Sequence, residues 1–217
     1  DRSPQTQGVI SELQQLSREI FLGNFKKAGT LSMRNIVRSK GGIKVFVEYD
    51  LGIGNMLAPI YTLLFDLAIK EALSRRKSAG SVYFITDEFS LLPNLQHVDD
   101  AVNFGRSLGI KFMIGIQNID QIYDNYGEYR ARSLLSGFLT SICFRVNDVK
   151  SKEYIRELYG VNRKKEIYTA SVQGRGIVEN VRDANVVEDW DISRLKTGQA
   201  IVGFPGEEPF IFQFKKA

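Results

Sequence analysis

Two adjacent carboxylates, Asp87 and Glu88, end the apolar run Val82-Tyr-Phe-Ile-Thr86. A buried strand that delivers an Asp-Glu pair at its carboxyl end can serve the hydrolysis of a phosphoanhydride. The first acid holds a Mg2+ ion through a bound water, and the second takes a proton from the attacking water. The plainer alternative is a strand that stops in two solvated acids, and the segment by itself does not separate the two. The other half of such a site is a G-x-x-x-x-G-K-[ST] loop, whose backbone N–H groups cradle phosphates. None of the 19 glycines is followed by lysine. The chain therefore holds the water-activating half of a nucleotide site without a phosphate cradle. By itself it is expected not to hydrolyse ATP.

Further residues sit where such chemistry needs them. Gln117 ends the apolar run 111–116, where an amide can sense an outer phosphate and orient water, or simply cap the next turn. Arg106, flanked by Gly105 and Gly109, can cross a subunit boundary toward a neighbour's phosphate, or stabilise the end of its own helix. Gly52-Ile-Gly54 lies where a dinucleotide fingerprint would sit, but the third position of that pattern is Leu57, so a tight turn is the simpler reading. Tyr123, Tyr126 and Tyr129 interleave with Arg130 and Arg132, and Arg163-Lys164-Lys165 adds a second basic group. Aromatics with cations suit single-stranded nucleic acid, and they equally suit a solvated helix surface.

Composition narrows the classes. The balance of 29 Lys+Arg against 25 Asp+Glu gives a net charge of +4, which permits a polyanionic partner without requiring one. One cysteine and one histidine exclude His/Cys metal clusters and an internal disulfide. Cys143, within Ser141-Ile-Cys-Phe, reads as a packed thiol in a reducing compartment, and His97 as an exposed residue in a helix's first turn. No apolar run approaches the ~18 residues of a membrane span.

The elements that position these residues alternate. Val9, Ile10, Leu13, Leu16, Ile20 and Phe21 recur at helical steps. Ile43–Tyr49 reads as a strand, followed by a helix to about Arg76 with Met56, Ile60, Leu63, Leu64 and Leu67 on one face, and a turn at 78–80. Then come the acid strand, a helix over 97–108, the strand at 111–116, short helices over 120–126 and 128–137, a strand over 140–146, and a helix capped by Asp148 and stopped by Gly160. This rhythm predicts an α/β fold, a mostly parallel sheet with helices on both faces and sites off the carboxyl ends of its strands. That rule places Gly52/Gly54, Asp87/Glu88, Gln117 and Arg145/Asn147 on one edge. Past Gly160 the pattern breaks: 163–176 is polar and hairpin-like, with Gly174 and Gly176. Strands at 199–204 and 209–214 close the chain as a β-hairpin.

Three stretches together carry a resemblance: Phe84-Ile-Thr-Asp87-Glu88-Phe-Ser-Leu-Leu-Pro93, then Phe104-Gly-Arg106 through Gln117-Asn with Gln121 to Gly127, and Val187-Glu-Asp-Trp through Phe204. The chain resembles the TraG/TraD-type coupling proteins of conjugative type IV secretion, along nearly its whole length. The resemblance implies a RecA-like P-loop NTPase core lacking its Walker A segment, within a hexameric DNA-pumping ATPase. It implies that Asp87 and Glu88 are the Walker B pair, Gln117 the phosphate sensor and Arg106 the arginine that reaches the adjacent subunit's nucleotide. The implied cofactors are ATP and Mg2+ in the full-length protein, with none expected on this piece. The implied partners are DNA, relaxase and relaxosome proteins, the secretion channel and further copies of itself. The implied location is the cytoplasmic face of the bacterial inner membrane. The expected organisation is a single domain, the carboxyl-terminal part of the motor: a helical lead-in over 1–40, an α/β core over 41–160, and a polar segment with closing hairpin over 161–217. Two alternatives stand beside this reading: a non-catalytic module that docks DNA or relaxosome proteins, and an enzyme that binds a dinucleotide through Gly52 and Gly54.

Overall fold

The computed structural model describes residues 3–21, 23–39, 41–50, 52–75, 80–169 and 177–215, with backbone alone at 16, 19, 24, 25, 168, 169 and 177–179. The turn residues 78–79, the cations Lys40, Arg76 and Lys77, and the hairpin tip with Gly174 and Gly176 lie outside the described residues. The chain divides into two compact units, 1–115 and 116–217.

In the first unit, α1 (Pro4–Ile20) starts at Ser3, whose hydroxyl accepts from the Thr6 N–H at 3.2 Å. α2 (Met33–Arg38) lies against α3 (Gly54–Leu73). Glu71 of α3 accepts from both Arg38 and Arg34, the latter at 3.4 Å, so this basic cluster is spent on a helix pair. α3 buries Leu57, Tyr61, Ala68, Ile69 and Ala72, while Leu63 and Leu67 of the expected face are exposed. The helix is apolar nearly all round, so periodicity does not choose its inner face.

β1 (Val82–Thr86) and β2 (Ile110–Ile114) form a parallel ladder from Val82↔Ile110 to Thr86↔Ile114, joined through α4 (Val98–Phe104). Phe84 and Phe112 are register partners and stack at 5.0 Å on one face. Tyr83, Ile85 and Met113 alternate onto the other face and are exposed. The strand expected at 43–49 is absent: the segment carries no regular secondary structure, with Ile43–Glu48 exposed and Tyr49 half-buried against Tyr61. Its β-branched residues favour an extended backbone, but a strand needs a ladder partner, and none of the described residues supplies one.

The second unit opens with α5 (Ile119–Tyr126) and α6 (Glu128–Ser136), separated by Gly127 at φ +73°. β3 (Ser141–Cys143) leads into α7 (Val149–Tyr159), whose cap is the Asp148 carboxylate accepting from the Ser151 N–H at 2.7 Å. The polar segment forms a hairpin of β4 (Val161–Thr169) and β5 (Ile177–Asn185). α8 (Asp189–Ser193) carries a reciprocal capping box between Glu188 and Asp191. β6 (Gln199–Gly203) is the central strand between β3 and β7 (Phe210–Gln213), all antiparallel, so the closing hairpin is present. Ile155, Val187, Ile192, Leu195 and Ile201 form the core here.

The α/β class holds. Its parallel part, among the described residues, is the β1–β2 ladder, while the ladders of the second unit are antiparallel. A Cβ on Gly115 would lie 2.0 Å from the Asp87 carbonyl oxygen, whereas one on Gly8 in α1 meets nothing within 4 Å. Gly115→Ala is therefore expected to cost roughly 3 kcal/mol, and Gly8→Ala to add about 0.5–1 kcal/mol. Denaturant midpoints of the two variants check both signs.

Candidate functional site

The tip of β1 is built from backbone. The Gly115 N–H donates to the Thr86 carbonyl at 2.7 Å, and the Phe89 N–H donates to the Gly115 carbonyl at 2.9 Å. Gly115 can pass this close to Asp87 because it lacks a side chain. Phe89, 1 % exposed, anchors the following 3-10 turn (Phe89–Leu91) in the core. Asp87 and Glu88 are thus held between a ladder and a buried ring. Asp87 is exposed at the bend, and Glu88 is half-buried. Glu88 Oε1 accepts a hydrogen bond from the Ser90 hydroxyl, which leaves Oε2 for another donor. Beside them Thr86 Oγ1 is buried and has no hydrogen-bond partner.

This donor set fits a hydrated Mg2+, which keeps several waters and takes one or two carboxylates with substrate phosphates. It does not fit a dedicated protein cage, since no group of three or more His, Cys, Asp or Glu gathers among the described residues. The pairing of an exposed acid with a half-buried, hydrogen-bonded one gives two carboxylates with different surroundings, as a metal-shell acid and a general base require.

Arg106 lies in the 3-10 turn Gly105–Leu108 and is exposed. This turn precedes β2, whereas Asp87 and Glu88 follow β1. In a parallel pair those are opposite ends, so the five-residue strands separate them by roughly 16 Å at ~3.3 Å per residue. Arg106 does not join the acids in one site within this unit. Gln117 belongs to the second unit, exposed at a bend just ahead of Asn118, whose Oδ1 caps α5 by accepting from the Asp120 N–H at 2.8 Å.

The basic residues are individually partnered. Arg130 stands 5.3 Å over the Tyr126 ring, and Arg132 pairs with Glu128 at 2.8 Å. Arg163 pairs with Asp183 at 3.8 Å, and Lys164 with Glu188 at 3.7 Å; Lys165 is exposed. Such surface pairs are weak, about 0–1 kcal/mol. Tyr126 is buried and Tyr123 half-buried, leaving Tyr129 as the fully exposed ring of that group.

Three expectations change or sharpen. His97 is half-buried, not exposed: its ring Nδ1 lies 2.8 Å from Asp66 Oδ2 and its N–H donates to Asp66 Oδ1 at 3.0 Å, tying α4 to α3. The dinucleotide reading of Gly52/Gly54 loses its preceding strand, and the space a Gly54 Cβ would take is filled by the Tyr49 ring, 2.2 Å away. Asp50 Oδ1 instead accepts from the Gly52 N–H at 2.8 Å, an Asx turn into α3. Cys143 is a packed thiol against the core of the second unit, with Tyr159 OH 3.9 Å from its sulfur. Sequence reading missed Ser90, Ser151 and Asp66. Their types are common and their partners are set by turns and helix packing; only Ser90, two residues past Glu88, had a local signal.

With the geometry in hand, similarity decides the family. Residues 6–212 match the family model described as type IV secretion-system coupling protein DNA-binding domain. The chain belongs to this family. The coupling protein TraD of Escherichia coli K12 is 26 % identical over 190 residues, covering 82 % of this chain and 26 % of TraD. The bacterial conjugative coupling protein TrwBdeltaN70, in its trigonal form with sulphate, superposes with a TM-score of 0.79 at 21 % identity, over 97 % of this chain and 49 % of that one. TrwB in complex with ADP and Mg2+ gives 0.67 at 23 % identity, over 86 % and 43 %. The chain thus spans about a quarter of TraD and under half of these TrwB chains. The shared α/β fold is the RecA-like one.

Burial pushes the Cys143 thiol above its ordinary 9.0, opposed by its contact with Tyr159, and burial pushes Tyr154 up to about 12. Both groups are easier to ionise unfolded than folded. Their contribution to stability is fully present below about pH 9 and is lost as pH rises through the folded values. Unfolding free energy measured against pH is expected to fall from about pH 9 upward. Iodoacetamide labelling of Cys143 at pH 8 is expected to be slow until denaturant is added.

Proposed function

We propose that this chain is the carboxyl-terminal part of the single motor domain of a conjugative coupling protein, a hexameric ATP-driven DNA translocase. The observation that carries this reading is the Asp87–Glu88 pair at the backbone-clamped carboxyl end of β1. Asp87 would hold the Mg2+ shell, with Thr86 Oγ1 beside it, and Glu88 would take the proton of the attacking water on the oxygen that Ser90 leaves open. When bound, the metal neutralises charge on the outer phosphates. Gln117 senses the outer phosphate. Arg106, at the far end of the strand pair, serves the nucleotide of an adjacent subunit.

Several features support this. A parallel sheet is normally covered on both faces, yet Tyr83, Ile85 and Met113 of β1–β2 are exposed, as are Phe210 and Phe212 of β7. Relatives about two to three times as long have room for the phosphate cradle and for whatever covers these faces. The TrwB structure with ADP and Mg2+ supports ATP and Mg2+ as the cofactors of the full-length protein. The family description supports DNA as a partner, with Arg130, Arg132, Arg163, Lys164 and Lys165 exchanging their carboxylate or ring partners for phosphate. Relaxosome proteins and the secretion channel complete the partners. No helix among the described residues is long and apolar enough to cross a membrane; this segment works on the cytoplasmic face of the inner membrane, anchored by other parts of the protein.

In the full-length protein, Glu88→Gln is expected to lower ATPase kcat at least about 100-fold while ATP still binds. Unchanged ATPase and DNA transfer in that variant would overturn the motor reading in favour of a docking module. Mixing Arg106→Ala with Glu88→Gln subunits is expected to restore part of the activity each lacks alone. Absence of any recovery counts against Arg106 acting across a boundary.

A further inference from the structure

Ser151 is the buried polar side chain of the described core, 6 % exposed, on the first turn of α7. Its hydroxyl oxygen accepts the Ile119 N–H at 3.1 Å, across 32 positions of sequence. Ile119 is the first residue of α5 and is itself buried. The first N–H groups of a helix have no partner inside it, and water usually satisfies them. Here burial removes that option, and an unpaired buried N–H is costly. The neighbouring donor, the Asp120 N–H, is taken by Asn118. Ser151 is in turn fixed, since its own N–H donates to Asp148 Oδ1 at 2.7 Å. The backbone two residues past Gln117 is therefore bolted to the first turn of α7, the helix that Arg145 and Asn147 lead into.

We infer that Ser151 is a positioning residue for Gln117: its hydroxyl fixes the backbone from which the amide is presented. The inference rests on Gln117 acting as the phosphate sensor of the proposed motor. An amide that must meet a phosphate and a water at once gains from a fixed origin, because small misplacements of a positioning group slow a reaction steeply. Local sequence offers no such anchor, since Asn118 secures only the helix after it.

The test compares Gln117→Ala, Ser151→Ala, Ser151→Thr and the Gln117→Ala/Ser151→Ala double variant in the full-length coupling protein. Ser151→Ala is expected to lower ATPase kcat about tenfold with KM for ATP unchanged. Ser151→Thr keeps the acceptor and restores the rate. In the Gln117→Ala background, Ser151→Ala is expected to have no further effect. Amide exchange at Ile119 is expected to speed up in Ser151→Ala and not in Ser151→Thr. If Ser151→Ala does not fold, Ser151→Cys keeps the volume, weakens the acceptor and carries the same expectations. An equal tenfold loss in both backgrounds makes Ser151 merely structural and overturns the inference. So does unchanged exchange at Ile119, or an impaired Gln117→Ala beside a fully active Ser151→Ala. A fully active Gln117→Ala overturns the sensor reading itself, and the inference with it.

Discussion

The tip of the parallel ladder depends on one close approach. Gly115 enters the space beside the Asp87 carbonyl, donates to Thr86 and accepts from Phe89. Two hydrogen bonds across a gap that no side chain can enter fix the backbone from Thr86 to Phe89. The acids between those residues inherit their placement from it. Asp87 stays exposed at the bend, where its charge keeps its water. Glu88 cannot swing freely, because Phe89 is buried beside it and Ser90 holds one of its oxygens. Two neighbouring carboxylates thereby acquire different environments, the condition under which they can take different roles.

The same ladder keeps Arg106 away from those acids. In a five-residue parallel pair, the residues after β1 and the residues before β2 lie at opposite ends. The glycines around Arg106 serve geometry as well. Gly105 makes room for Ile110, and Gly109 turns at φ +80° into β2. The turn leaves Arg106 exposed and apart from the acids of its own unit.

Polar contacts between helices do the remaining positioning. Asp66 receives both donors of His97, Glu71 receives Arg34 and Arg38, and Ser151 receives Ile119. Each spans more than thirty positions of sequence. Each also satisfies a group that burial or a helix end would otherwise leave without water, which is why these unremarkable residue types end up at the joints of the fold.

The sequence by itself determined the elements whose causes are local. The acid pair at a strand end, Asp148 and Gly160 bounding α7, Gly127 between α5 and α6, and the closing hairpin could all be read from it, because caps, glycines and alternation act over a few residues. The α/β class followed from their order. Only the tertiary structure decided what depends on distant partners. Ile43–Tyr49 has a strand's composition but no ladder. α3 is apolar on too many sides to announce its inner face. His97, exposed by its local context, is captured by Asp66. The direction of the β3–β6–β7 ladders, and the hydrogen bond from the Ile119 N–H to Ser151, likewise required the folded chain. Periodicity records which way a side chain leans from its own backbone, and it carries no record of what will be waiting there.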